Sequence, residues 1–340
     1  MATGGTRSDG LIHREAVRRS WHPIARLDDL GTEPLSRTLC GERLVLFVGD
    51  GGTPTALPDR CPHRNAPLSA GALVDGCLEC PYHGWRFDDG GRCVEVPSSG
   101  PGAPVPPRAH LHPYPCVEAL GLVWVALGEP IGDVPAAPWE ADPAFRRINT
   151  PVVEWTAAAG RMVDNFMDIT HFPWVHAESF GGAAERQVPN FSIGPLPDGF
   201  TGYAYDVSAA NEGAGTSASG QEEQVVHRSM SSGFHLPFIV RSTIRYDTGL
   251  EHNLYLCTAP IDEERSWFTF IVYRNDDHDV PADEVLGLDH MIAAEDKRML
   301  ELLDGPLPLR NDGVVSVQAD KASVAWKHAL VSFLDGAEHA

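Results

Sequence analysis

Cys61-Pro-His63 and, sixteen residues further on, Cys80-Pro-Tyr-His83 decide how this chain is read. Each half offers one thiolate and one imidazole, the ligand set of a Rieske [2Fe–2S] cluster, in which two His replace two Cys on one iron. Neutral imidazoles place less negative charge on such a cluster than thiolates do, which raises its potential into the range of an internal electron relay. Structural zinc also accepts two Cys and two His, but zinc fingers usually keep the cysteines in one half and the histidines in the other. A mixed pair in each half favours the iron–sulfur reading, with zinc as the alternative.

The neighbouring residues fit. Pro62 and Pro81 each follow a ligand Cys, fixing φ and removing an N–H that would need a partner. Gly84 lets the backbone bend close to a cluster. The stretch Cys80-Pro-Tyr-His-Gly-Trp-Arg-Phe87 resembles the second loop of Rieske proteins almost letter for letter. Cys77 completes a C-x-x-C with Cys80, but Cys80 is already needed as a ligand, so Cys77 reads as a small buried residue rather than half of a redox dithiol. Cys40, Cys93, Cys116 and Cys257 have no partner spacing and are expected to pack inside.

A chain of 340 residues, 43% of them hydrophobic, favours two ordinary globular domains. It has no apolar run of transmembrane length and no apolar core near its start that would mark a signal peptide. Seven cysteines, two of them reserved for a cluster, suit a reducing cytoplasm. A formal charge of −21 argues against nucleic acid or an anionic membrane as partner. Against that background, Arg60, Arg64, Arg86, Arg92 and Arg108 gather around the cluster loops, a basic collar suited to an acidic ferredoxin or a flavin reductase. The alternative is a set of solvated loop arginines.

The organisation follows from turns and alternation. Residues 1–20 read as a tail, 21–130 as a domain of short strands carrying the cluster, 131–150 as a Pro-rich linker, 151–330 as a second domain and 331–340 as a tail. Strands are expected at Arg43–Val48 and Gly121–Leu127, with the Pro97–Pro107 stretch irregular. In the second domain strands are expected at Phe234–Tyr246, Asn253–Ala259 and Trp267–Tyr273. A loop is expected at Ala209–Gly220 and a helix at Pro281–Leu303.

The second constellation is Asn165-Phe-Met-Asp168-Ile-Thr-His171-Phe-Pro-Trp-Val-His176. Steps of three place Asn165, Asp168 and His171 along one helix face, and Pro173 is expected to interrupt that helix and bring His176 back toward His171. Two histidines and a carboxylate on one side of a mononuclear iron form the facial triad of non-haem Fe(II) oxygenases. The bland alternative is a helix end with polar caps and two unrelated histidines. Asp296, on the apolar stripe Val285, Leu288, Ile292, Met299 and Leu303, is the candidate third ligand, because a charge on a buried face needs a partner such as a metal. Glu295 is its closest rival and Asp289 a weaker one.

With both motifs in view, the chain resembles the catalytic α-subunit of Rieske non-haem iron oxygenases, in particular the short α-only type that includes vanillate and dicamba O-demethylases, over residues 20 to 305. The resemblance implies an α+β fold: an N-terminal all-β Rieske domain and a C-terminal helix-grip-like domain with an antiparallel sheet and metal-bearing helices. It implies that Cys61, His63, Cys80 and His83 hold the [2Fe–2S] cluster and that His171, His176 and Asp296 hold mononuclear Fe(II). It further implies that Asp168 carries electron transfer by accepting a hydrogen bond from a Rieske histidine of the neighbouring copy, within a head-to-tail homotrimer, and that Asn165 stands beside the iron.

Electrons from NAD(P)H would come through a separate ferredoxin and/or flavin reductase, since no G-x-G-x-x-G opens a βαβ unit here. O2 and a small aromatic or alicyclic substrate would then meet at the mononuclear site. Monooxygenation, as hydroxylation or oxidative O- or N-demethylation, is the leading reaction, ring cis-dihydroxylation the alternative, and a pure Rieske electron carrier the rival from another class. Pocket walls are expected from Phe234, Leu236, Phe238 and Ile239, with His235, Arg241 or Asn253 as polar contacts.

Overall fold

Glycine- and proline-marked turns separate short apolar strands in the first part of the chain, whereas long alternating strands and amphipathic helices make up the rest. A computed structural model gives the fold and describes residues 10–100, 102–179, 186–196, 199–210, 219, 221, 225–310 and 313–337. Its contacts divide the chain into two compact units, Met1–Val134 with Ala259–Asp262, and Pro135–Thr258 with Glu263–Ala340. Among the described residues, no helix is long and apolar enough to cross a membrane.

The first unit opens with the short helix α1 (Glu15–Arg18) and contains three antiparallel sheets. β1 (His22–Arg26) is followed by β2 (Leu35–Leu39), β3 (Glu42–Val48) and β4 (Pro54–Pro58), then by β5 (Ala72–Val74), β6 (Cys77–Glu79), β7 (Arg86–Phe87) and β8 (Cys93–Glu95). β9 (Cys116–Ala119) and β10 (Leu122–Val125) complete it, in sheets β1-β10-β9, β2-β3-β4 and β5-β6-β7-β8. Leu44 to Phe47 are buried along β3. Cys61 and Cys80 lie in the core cluster with Val45, Phe47, Leu57, Leu68, Leu78 and Phe87, so the two Cys/His loops are anchored by their cysteines in packed apolar surface.

The second unit is built on one antiparallel sheet. Its strands are β11 (Arg146–Asn149), β12 (Val153–Trp155), β13 (Gly194–Pro195), β14 (Thr201–Ala210), β15 (Val225–His235), β16 (Ile239–Tyr246), β17 (Glu251–Pro260) and β18 (Ser266–Arg274), ordered β11-β18-β17-β16-β15-β14-β13 with β12 also on β18. The helices are α2 (Ala159–Met167), α3 (Phe172–Val175), α4 (Ala282–Val285), α5 (Gly287–Leu300) and α6 (Lys321–Ala337). Trp155, Met162, Phe268, Phe270, Val272, Leu286 and Leu300 form the core with Leu254 and Leu256 of β17, so even-numbered β17 residues face the helices. Each such large apolar side chain contributes about 1.5–3 kcal/mol by leaving water.

Several boundaries differ from the sequence reading. Residues 15–18 are helical, with Ala16 and Val17 buried, rather than tail. Within the expected linker, Trp139 is buried and Arg146–Asn149 forms an edge strand on β18, because one strand's worth of backbone partners is available there. Helix α6 runs to Ala337 with Leu334 buried, through most of the expected C-terminal tail. The expected strand Phe234–Tyr246 is two strands around Pro237, which has no N–H to offer a ladder. The helix expected at Pro281–Leu303 breaks between Val285 and Gly287. Most of the Ala209–Gly220 loop lies outside the described residues. Cys40, Cys93 and Cys257 are buried as expected, but Cys77 and Cys116 are only half-buried.

Candidate metal centres

The two loops of the first unit repeat one backbone device. Cys61 N–H donates to the Ala66 carbonyl (2.9 Å) while the Cys61 carbonyl accepts from Asn65 N–H (2.8 Å). Cys80 does the same with Trp85 (2.8 Å) and Gly84 (3.0 Å). Asn65 and Gly84 occupy the same place in each loop and both have left-handed backbones, φ 60° and 69°. Glycine meets that demand without strain, and Asn is among the few other residues that tolerate it. The side chains do not repeat: the histidine is two residues after the first cysteine and three after the second.

The result gathers the four expected ligands. The His63 and His83 rings lie 4.4 Å apart, and His63 is stacked on Trp85 at 4.7 Å with an interplanar angle of 4°. His63 Nδ1 is buried and has no hydrogen-bond partner, an orphan atom that a metal would satisfy. Burial pushes the Cys61 thiol up to about 11; backbone groups of His63 and Arg64 oppose this and Cys80 reinforces it. Two buried neighbouring thiols and an unsatisfied imidazole nitrogen fit a [2Fe–2S] cluster. Of the basic collar, Arg86 is paired with Glu79, Asp75 and Glu95, and Arg92 with Asp88, whereas Arg64 and Arg108 are exposed.

In the second unit, helix α2 ends at Met167, before Asp168 and four residues short of His171, the last of the steps of three. Asp168 is extended (φ −87°, ψ 144°), so only Asn165 of the three lies in that helix. Pro173 opens α3 instead of interrupting a longer helix, and His171 and His176 flank that single turn. The Asp168 carboxylate accepts from Thr170 N–H (2.9 Å), the Thr170 hydroxyl, His171 N–H (3.0 Å) and His171 Nδ1 (3.0 Å). Burial works against ionisation of Asp168, but the hydrogen bonds from His171 and Thr170 outweigh it and hold the carboxyl below its usual range.

On α5 the buried face runs through Leu286, Asp289, Ala293, Asp296 and Leu300, not along the stripe drawn from the sequence; Met299 and Leu303 on that stripe are exposed. Acidic residues on the inner face had disguised its position. Asp296 is 6% exposed and Glu295 7%. Asp289, two turns earlier on that face, pairs instead with His252 of β17 at 3.3 Å.

Asp296 Oδ1 lies 3.3 Å from His176 Nε2 and 3.5 Å from His171 Nε2, and the two Nε2 atoms are 3.2 Å apart. Asn165 Nδ2 donates to the same Asp296 oxygen at 2.9 Å. His176 Nδ1 donates to Glu295 Oε2 at 2.8 Å, and the Ser179 hydroxyl donates to that oxygen at 2.6 Å. Burial lowers the His176 pKa, but Asp296 and then Glu295 outweigh it and leave it raised. With both Nδ1 atoms bonded to carboxylates, the two Nε2 atoms and Asp296 Oδ1 converge as three possible ligand atoms. Such a cluster fits a cation. It is also the group of histidine and acidic residues spaced to hold a metal ion among the described residues.

Thr170 and Ser179 are the contributors that the sequence reading missed. Thr170, between Asp168 and His171, sits where a short hydroxyl can bond a carboxylate two residues back. Ser179 carries no local signal. Arg241 and Asn253 pair across strands with Tyr255 and Thr243 and project from the sheet face opposite Leu254 and Leu256, away from the helices.

Comparison with known proteins gives the same division. Residues 20–115 match the Rieske [2Fe-2S] domain, and residues 155–335 match the vanillate O-demethylase oxygenase C-terminal domain. The chain belongs to the Rieske non-haem iron oxygenases. The methylxanthine N1-demethylase NdmA of Pseudomonas putida is 30% identical over 93% of this chain and 89% of its own length. The oxygenase component of dicamba O-demethylase from Stenotrophomonas maltophilia is 40% identical over 47% of this chain and 48% of its own. The structure of NdmA with caffeine superposes with a TM-score of 0.84 at 27% identity, covering 97% and 94% of the two chains.

This Rieske oxygenase accordingly has an N-terminal β domain and a C-terminal sheet with helices, and it uses a [2Fe–2S] cluster and mononuclear iron. It is the terminal oxygenase of a multicomponent system: ferredoxin or reductase partners pass on electrons from NAD(P)H, and O2 serves monooxygenation of a small organic substrate.

Proposed function

We propose that this oxygenase demethylates a small aromatic or heteroaromatic substrate carrying an O- or N-methyl group, with His171, His176 and Asp296 holding the mononuclear iron and Cys61, His63, Cys80 and His83 holding the cluster. The observation that carries the site is the convergence of three possible ligand atoms, 3.2–3.5 Å apart, on the helix-covered face of the sheet. Demethylation is supported by the names of two relatives that span this chain, each an N-demethylase, and by the O-demethylase family matched by its second half.

When bound, the two metal centres supply the one-electron transfers and the O2 activation. The remaining work belongs to side chains. Asp168 and Glu295 hold the two imidazoles in the Nδ1–H form, so that each Nε2 is available to a metal. Asn165 fixes the Asp296 carboxylate by its amide N–H. The core around Trp155, Met162 and Phe268 closes the helix-covered face behind these residues. Overall, a methyl ether or methylamine, O2, two electrons and two protons become the free hydroxyl or amine, formaldehyde and water.

Asp168 also carries electron transfer between copies of a head-to-tail homotrimer. Two features support this: the Asp168 side chain keeps 19% exposure beside the metal ligands, and His83 is exposed beside Tyr82, itself 65% exposed. The enzyme works in the cytoplasm, where its seven unpaired cysteines stay reduced. The test is reconstitution with NADH, a reductase and methoxy- or N-methyl-aromatic candidates. Formaldehyde equimolar with the demethylated product is expected; a ring diol, or hydroxylation elsewhere with no formaldehyde, would overturn the demethylase reading.

A further inference from the structure

Glu295 stands next to Asp296 in the chain but does not join the three converging atoms. It is buried, and its Oε2 atom receives two short hydrogen bonds, from His176 Nδ1 and from the Ser179 hydroxyl. Its other oxygen, Oε1, is buried with no hydrogen-bond partner. An ionised carboxylate with a bare oxygen inside a protein is costly unless positive charge lies nearby. Among the described residues, Glu295 and Asp296 pair with imidazoles and not with lysine or arginine. A metal cation at the Nε2 side of His176, one imidazole width away, supplies that charge.

The two histidines are backed differently. Asp168 receives four donors from its own short loop and retains some exposure, so it is fixed with or without a metal. Glu295 comes from a different element, is supported by one hydroxyl and has an oxygen to spare. We infer that Glu295 is a positioning residue for the mononuclear metal: through His176 it fixes the ring as the Nδ1–H form and adds a buried negative charge that strengthens metal binding, with Ser179 holding Glu295 in place. The inference rests on the ligand assignment proposed above. Carboxylates in this position typically change metal affinity by about 10–100-fold when removed.

The experiment is metal affinity of the full-length protein, stripped of its mononuclear ion by chelator under anaerobic conditions with the cluster left in place. Fe2+ binding is read by chelator competition, and Co2+ binding by its visible spectrum. Glu295→Gln keeps the volume and one acceptor for His176 but loses the charge; Glu295→Ala loses both. Relative to the parent protein, affinity is expected to fall about tenfold for the Gln variant and toward 100-fold for the Ala variant, with the cluster absorbance unchanged. The metal's midpoint potential rises in the Gln variant, because a negative charge has been removed, a change that a packing role would not produce. Ser179→Ala, a small truncation at a half-buried loop position, weakens binding by less than about tenfold and serves if the Glu295 variants do not fold.

Affinity of Glu295→Gln within twofold of the parent, with an unshifted potential, would overturn the inference. If instead His176→Ala bound Fe2+ as the parent does, the ligand assignment itself would fall, and this inference with it.

Discussion

The four residues proposed to hold the cluster all come from one short stretch, residues 61–83, and backbone hydrogen bonds shape both of its loops. His171, His176 and Asp296 are held instead by side chains reaching across the fold, with His176 and Glu295 119 positions apart and Asn165 and Asp296 131 apart. A locally closed loop depends on its own turn residues and the core beneath it. A centre assembled from α2, α3 and α5 depends on every contact that keeps those helices in register, so the same size of perturbation should matter more there.

The sharpest way to break this contrast is to remove a ligand from the assembled centre. His176→Ala or Asp296→Ala is expected to abolish turnover and mononuclear iron while the cluster's visible and EPR spectra persist; loss of both signals would show that the two centres are not independent. Full activity in Asp296→Ala combined with loss in Glu295→Ala would transfer the ligand role to Glu295.

Truncation of the core is next in size. Phe268→Ala should cost about 3–5 kcal/mol in denaturant unfolding of the second unit, and because Phe268 packs in the cluster that includes Met162 of α2 and Leu300 of α5, Fe2+ affinity should fall with it. Phe87→Ala removes a similar volume beneath Cys61 and Cys80 and should bleach the cluster with mononuclear iron intact.

Acid offers a third probe, confined to the first unit. His22 of β1 is buried, its Nε2 donating to the Val17 carbonyl, and burial, partly opposed by that bond, lowers its pKa from 6.5 to about 4. The unfolded chain therefore takes up a proton between pH 6.5 and 4 that the folded one refuses. The stabilisation is whole above 6.5 and drains away as the pH falls to about 4, by up to about 3 kcal/mol. Cluster absorbance against urea at pH 7 and pH 5 should show the loss, and His22→Gln should flatten it.

The smallest expected effect is that of Asp168→Asn. It should slow electron transfer between centres by about 10–100-fold while lowering iron content less. Single-turnover kinetics monitored at the cluster band measure this, and an unchanged rate would remove the bridging role.

The same contrast explains what could be read from the sequence. C-x-H and C-x-x-H carry their geometry with them, since proline, glycine and asparagine at fixed offsets imply the loop shape. Asn165, Asp168, His171 and His176 were also legible as types, but not their backbone: nothing at Ile169 or Thr170 announces that the helix stops at Met167, because it is Asp168, turning back on Thr170 and His171, that replaces the next helical turn. Asp296 was found by way of a stripe that the structure moves to Leu286, Ala293 and Leu300. Whether Glu295 or Asp296 faces the histidines is one step round a helix, and only the packing of α5 decides it.

The mirrored loops around the cluster have one further consequence. His63 is sandwiched flat against Trp85, with a nitrogen shut inside, while His83 stands in the open next to Tyr82. One extra residue between cysteine and histidine thus separates two like rings, one half-buried against a tryptophan and one exposed. On the ligand assignment proposed above, the shortest way for an electron between the cluster and the surface is through the exposed ring.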